Sequence, residues 1–244
     1  MALVEAAVET LQSALAAERA GVRRIELCAS LHDGGTTPSA GLIAAVVERV
    51  RIPVFVLVRP RGGDFVYSSD EVEVMKRDID YARQHGAAGI VIGALDRNSE
   101  VDLTTTRELI EASSGLPVTF HRALDFTRDL PQALERLIEL GVSRVLTSGG
   151  AATALEGVDV IARLVNQASD RITVMAGGGI REHNVREVVA RTHVRELHAR
   201  ISSVAHAGAG GASSRVRLRK PLPENEGEWE ELDEPRMRGL IELA

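Results

Sequence analysis

Three side chains that can hold or move charge follow one short apolar run in Val118–Asp125, VTFHRALD. Val118, Thr119 and Phe120 suit a buried strand, and His121, Arg122 and Asp125 come within the next five residues. A histidine and an aspartate at this spacing can form a general acid–base pair, with the carboxylate orienting the imidazole. The competing reading is a hydrogen-bonded network that braces the strand end. Polar residues where a strand ends are the expected position for chemistry in a parallel α/β protein.

Other strand ends supply more candidates. Arg59 and Arg61 alternate on the strand period in PVFVLVRPRGGD, so they share a direction, with Asp64 close behind. A guanidinium fork fits carboxylate or phosphate, so Arg59, Arg61 and Arg122 could clamp an anion. Alternatively, Arg59 is tied structurally to Asp64 or Asp125. Gly62 and Gly63 would let the loop to Tyr67 close over a bound molecule. Thr147, Ser148 and Gly149–Gly150 follow one strand and Gly177–Gly179 another, so Ser148 and Gly178 are further candidates for contacting phosphate. Glu26 is a third candidate for proton transfer, and His198 is a candidate substrate contact. Cys28 could be a nucleophile, a soft metal ligand or a small buried hydrophobe. The sequence has no CxxC, P-loop, H-x-x-x-H or G-x-S-x-G pattern.

Eight short apolar runs carry these residues, starting near Leu3, Arg24, Pro53, Gly89, Pro117, Arg144, Ile172 and Val194. Amphipathic stretches lie between them. Thr10 suits an N-cap and Gly21 a stop for the first helix. Later helices are expected near residues 39–50, 70–85, 104–112, 129–140, 153–168 and 182–191. Eight such units predict a single-domain (β/α)8 TIM barrel over residues 1–206. A doubly wound sheet is the alternative, but no G-x-G-x-x-G follows the first strand. Residues 207–244 read as a tail of the same domain. It has a glycine-rich stretch (Gly208, Gly210, Gly211), a basic run (Arg215–Lys220), an acidic run (Glu224–Glu234) and a closing helix after Asp233 and Pro235.

The composition excludes several classes. A net charge of -6 argues against general nucleic-acid affinity, and 3% aromatics are too few for base stacking. No apolar run reaches the ~18 residues a membrane span needs. The N-terminus lacks a signal-peptide pattern, and the single cysteine fits a reducing, cytoplasmic setting.

RIELCASLHDGGTTPS, VRPRGGDFVYSSDEVEVM, GIVIGALD, PVTFHRALD, RVLTSGG and VMAGGGIREHNV together resemble the CutC family. The resemblance implies a cytosolic (β/α)8 barrel, often a homodimer, with a proposed role in intracellular copper handling through Cu(I) binding. Some relatives carry a second cysteine at the end of strand one, where this chain has Ala7. The implied copper site therefore keeps only Cys28, and a soft ion prefers more than one thiolate or thioether. Three readings follow: copper homeostasis and copper binding; an enzyme acting on a small phosphorylated or carboxylate metabolite, with an arginine clamp and the His121/Asp125 pair; or a non-catalytic anion sensor.

Overall fold

The computed structural model describes residues 2–206 and 228–244. The glycine-rich stretch, the basic run and the start of the acidic run lie outside the described residues. Eight parallel strands close into a barrel in sequential order. They are β1 (Leu3–Val8), β2 (Arg24–Leu27), β3 (Val54–Leu57), β4 (Gly89–Ile92), β5 (Val118–Phe120), β6 (Arg144–Thr147), β7 (Thr173–Gly177) and β8 (Glu196–Ala199). The fold is therefore the TIM barrel expected from the eight alternating units.

The helices cover the barrel: α1 (Leu11–Ala20), α2 (Ala40–Arg49), α3 (Ser69–Gln84), α4 (Leu103–Ala112), α5 (Leu130–Glu139), α6 (Val158–Ala168), α7 (Val185–Thr192) and α8 (Glu234–Leu243). Local chemistry explains their ends. Thr10 accepts a hydrogen bond from the Ser13 N–H, and Ser68 forms a reciprocal capping box with Glu71. The main core lies between strands and helices, where residues such as Ile25, Phe120, Leu134 and Leu137 are fully buried.

Two differences from the sequence reading have local causes. α6 begins at Val158 rather than near Thr153, because the chain first turns through residues 151–157. Gly157 there packs against the backbone of Ser148 and Gly149, leaving no room for a side chain. An unexpected antiparallel pair of strands, β9 (Ser202–His206) with β10 (Glu228–Leu232), follows the barrel. The Glu231 carboxylate fastens it by accepting hydrogen bonds from the Thr10 and Ser13 hydroxyls at the start of α1. α8 then buries Met237 and Leu240 beside α1 and α7.

The inside of the barrel is charged at its base. Arg24 bonds the Glu5 and Glu196 carboxylates, and Arg144 bonds Glu196. Both guanidinium groups lie against the Phe55 ring, at 5.2 and 5.4 Å from its centroid. Gly89 makes room for that ring, since a β-carbon there would stand 2.4 Å from it. This plug fills the layer that branched aliphatic side chains occupy in many barrels, and the next layer up forms the floor of a cavity.

Candidate functional site

The cavity opens at the C-terminal ends of the strands and measures about 280 Å³. Ala7, Glu26, Cys28, Arg59, His121 and His198 are among its lining residues. Strand register sets the floor. Glu5 on β1 stands beside Arg24 on β2 and His198 on β8, and Ala7 stands beside Glu26. The small side chain of Ala7 leaves space at this level. So does Gly177 beside His198, where a β-carbon would come within 3.0 Å of the His198 Cβ.

His198 sits between two carboxylates. Its Nδ1 lies 2.8 Å from Glu5 Oε1 and its Nε2 3.4 Å from Glu26 Oε2. Burial alone would lower the imidazole pKa, but the Glu26 charge and the Glu5 hydrogen bond and charge raise it above the ordinary 6.5. Burial would likewise raise Glu5, yet the His198 hydrogen bond and the Arg24 charge hold it at about 2. Glu26 is raised instead, because burial and the Glu5 charge outweigh the help from His198. The floor thus holds a fixed anion, Glu5, an imidazole whose protonated form is favoured, His198, and a carboxyl group with a raised pKa, Glu26.

The wall is built differently. Arg59, only 5% exposed, donates to the backbone carbonyls of Asp33, Gly35 and Gly63. No carboxylate lies within ion-pair distance of it among the described residues, and its Nε is buried without a partner. Its guanidinium lies 5.0 Å from the Phe65 ring centroid, and the same ring lies 5.1 Å from that of His121. His121 Nδ1 accepts from the Ala123 N–H, so the neutral ring carries its proton on Nε2, which is buried without a partner. Burial, reinforced by the Arg59 charge, lowers the His121 pKa to about 3. Gly93 on the β4 side gives this ring its place, since a β-carbon there would stand 2.3 Å from His121 Cε1.

Several expected arrangements are corrected by this geometry. Asp125 does not orient His121. Its carboxylate accepts from Arg122, Thr147, and the N–H groups of Ser148 and Gly150. Those donors, with the Thr147 hydroxyl on the Gly149 N–H, account for the β6 loop, so Gly149–Gly150 are taken internally. Ser148 bonds Arg122 and Asp125, and Arg122 reaches the cavity with its Nε already on Asp125. Arg61 and Asp64 pair with each other away from the cavity lining, and Arg61 also bonds Glu71. Arg61 further bonds the carbonyls of Gly62 and Val66, which ties down the 61–67 loop. Arg59 makes neither of the carboxylate ties considered for it; its neighbours Arg61 and Arg122 make them.

Gly178 lines the cavity with Gly179, Ile180 and Arg181. At Gly178, φ is +100°, which favours glycine, and a β-carbon would fall 3.3 Å from the Arg122 guanidinium, a tight contact. Sequence reasoning placed Glu5 among the strand-end groups without assigning it a part, and left Arg24 and Gly93 out. The signal for the first two was present: charged residues inside LVEAAV and RIEL, strands otherwise apolar, call for partners in the barrel interior.

The donor set was weighed against copper. Cys28 is the only cysteine, fully buried, and burial followed by the Glu26 and Glu5 charges pushes its thiol well above 9.0. Met175 Sδ lies 3.4 Å from Arg24 Nη2, down in the plug. Glu5, Glu26 and His198 lie close enough to share an ion, but both His198 nitrogens face carboxylates and Glu5 is held by Arg24. These residues do not fit a soft Cu(I) ion, which favours thiolate and thioether donors.

The CutC family model matches residues 2–203. A family protein CutC from Xanthomonas axonopodis pv. citri is 45% identical over 98% of this chain and 97% of that protein. The human copper homeostasis protein cutC homolog is 44% identical over 99% of this chain and 89% of its own length. A crystal structure of the CutC protein from Streptococcus agalactiae has a TM-score of 0.78 at 35% identity, covering 81% of this chain and 98% of that one. Phosphoribosyl anthranilate isomerase from Thermotoga maritima shares the fold alone, with a TM-score of 0.59 at 12% identity over 100% of this chain and 98% of that one. With its barrel and all six sequence segments inside or overlapping the matched span, the chain belongs to the CutC family.

Proposed function

We propose that this chain is a cytoplasmic barrel enzyme that binds a small anionic metabolite, phosphorylated or carboxylate, and acts on it by proton transfer. Arg59 carries the reading. A buried cation without a counter-charge costs several kcal/mol, and the carbonyls around Arg59 supply dipoles but no charge. An anion entering the cavity would supply it. The single buried cysteine favours a reducing compartment, and the family resemblance favours a homodimer. A non-catalytic sensor would need the arginine but not the ionisable floor.

A role in copper homeostasis comes to this chain from the name of its human relative. With one high-pKa thiol and a floor held by ion pairs, such a role would run through something other than a tight Cu(I) centre in the barrel.

Thermal-shift screening of phosphate, sulfate, small carboxylates and sugar phosphates tests the reading. A ligand at a hundred times its Kd adds about 2.7 kcal/mol of stability. At least one of these anions is expected to stabilise the wild type, with the shift lost in Arg59→Gln. No shift with any of them would overturn the proposal.

A further inference from the structure

We infer that Glu5, His198 and Glu26 form the proton-moving device of this site, with Glu26 as the catalytic base, and that the substrate is an anion bearing an acidic C–H next to a carbonyl or carboxylate. The inference rests on the anion-binding reading and adds a reaction class to it.

Glu26 lines the cavity yet is only 6% exposed; the Glu5 carboxylate and the Cys28 thiol lie near it, and its one ion-pair partner among the described residues is His198 Nε2, at 3.4 Å. That is too long for a strong hydrogen bond. A carboxylate both desolvated and under-bonded is a stronger base than one in water. Leu57 and Leu146 add apolar surface to the same cavity. The His198 ring stands beside Glu26, and Glu5 fixes it from the other nitrogen. Arg24 holds Glu5 in turn, so Glu5 is a positioning residue that keeps His198 protonated and oriented.

His121 is excluded as the base by its own hydrogen bond. Its Nδ1 lone pair is taken by the Ala123 N–H, leaving only a donor on Nε2.

The step balances within the site. A substrate C–H bond breaks and an O–H bond forms on Glu26. The electron pair stays on the substrate as an enolate, in a cavity that also carries the Arg59 charge. Glu26 then returns the proton to the same or a neighbouring carbon, which gives exchange or isomerisation with no redox partner.

The test uses the full chain and the anions that stabilise it through Arg59. The small carboxylates and sugar phosphates among them are incubated in D2O, and loss of their C–H signals is followed by proton NMR. The wild type is expected to exchange at least one of them. Glu26→Gln should slow exchange at least 1000-fold while keeping the thermal shift. Glu5→Gln should keep ligand binding and move the pH profile of exchange, a change that a packing role would not produce. Exchange that survives in Glu26→Gln would overturn the assignment. Ligands that bind without exchanging in the wild type would overturn it too, while leaving anion binding intact. Stoichiometric zinc binding lost in Glu26→Gln, with no exchange, would make the cluster a metal site instead.

Discussion

His198 and His121 line the same cavity from strands three steps apart around the barrel, yet their surroundings push their pKa values in opposite directions. Two carboxylates face His198 and keep it protonated. Burial and the Arg59 charge keep His121 neutral, with a backbone N–H on its Nδ1 and an aromatic ring beside it. Residue type therefore says little about which histidine moves a proton. The groups that can move one collect on the floor, and the wall offers fixed positive charge and N–H donors.

Breaking the floor should have the largest effect. Arg24→Met leaves Glu5 and Glu196 short of a buried partner, and loss of one member of a buried ion pair costs roughly 3–5 kcal/mol. Urea unfolding should show that loss as a lower midpoint. The pH dependence of stability should then separate the two histidines. His121 has a folded pKa below its unfolded value, so its contribution is intact above about 6.5 and is lost as pH falls toward about 3. Glu5 acts with the same sign: its stability is present above 4.5 and is lost as pH falls through about 2. His198 has the opposite sign, its folded pKa being raised; its stability is full below 6.5 and is lost as pH rises through the raised value. Unfolding followed across pH should show His121→Gln flattening the acid limb and His198→Asn the alkaline one.

Gly93→Ala should disturb the wall and spare the floor. The added methyl group meets the His121 ring, at a cost of about 1–3 kcal/mol typical of overpacking. Its effect on the His121 resonances should exceed that on His198. The smallest stability effect should come from Cys28→Ser, and competition with a Cu(I) chelator should show no tight stoichiometric binding by the wild type. Ala7→Cys should strengthen binding, because β1 and β2 are neighbours and both side chains line the cavity. Tight binding by the wild type that disappears in Cys28→Ser would restore a copper centre.

The barrel was legible because its signals are local and repeated: apolar runs, helix caps and glycine stops, as at Thr10 and Gly21. The strand-end rule also brought Glu26, Arg59, His121 and His198 to one mouth. Pairings were harder to read. His121 and Asp125 are close in sequence, but the β5–β6 connection turns the aspartate toward Thr147 and Ser148. Arg59 and Arg61 share a strand period only while the strand lasts. β3 ends at Leu57, and beyond it the two arginines part. Glu5 and His198, 193 residues apart, meet through barrel closure, which no local spacing reveals.

A histidine side-chain 1H–15N correlation followed over pH measures the difference between floor and wall most directly. Assignments come from His198→Asn and His121→Gln. Above pH 6.5, His198 should still show both nitrogens protonated, while His121 should remain a neutral Nε2–H ring until the pH approaches about 3. A neutral His198 at pH 6.5, or a His121 that titrates near 6.5, would contradict the division of roles and return proton transfer to the wall.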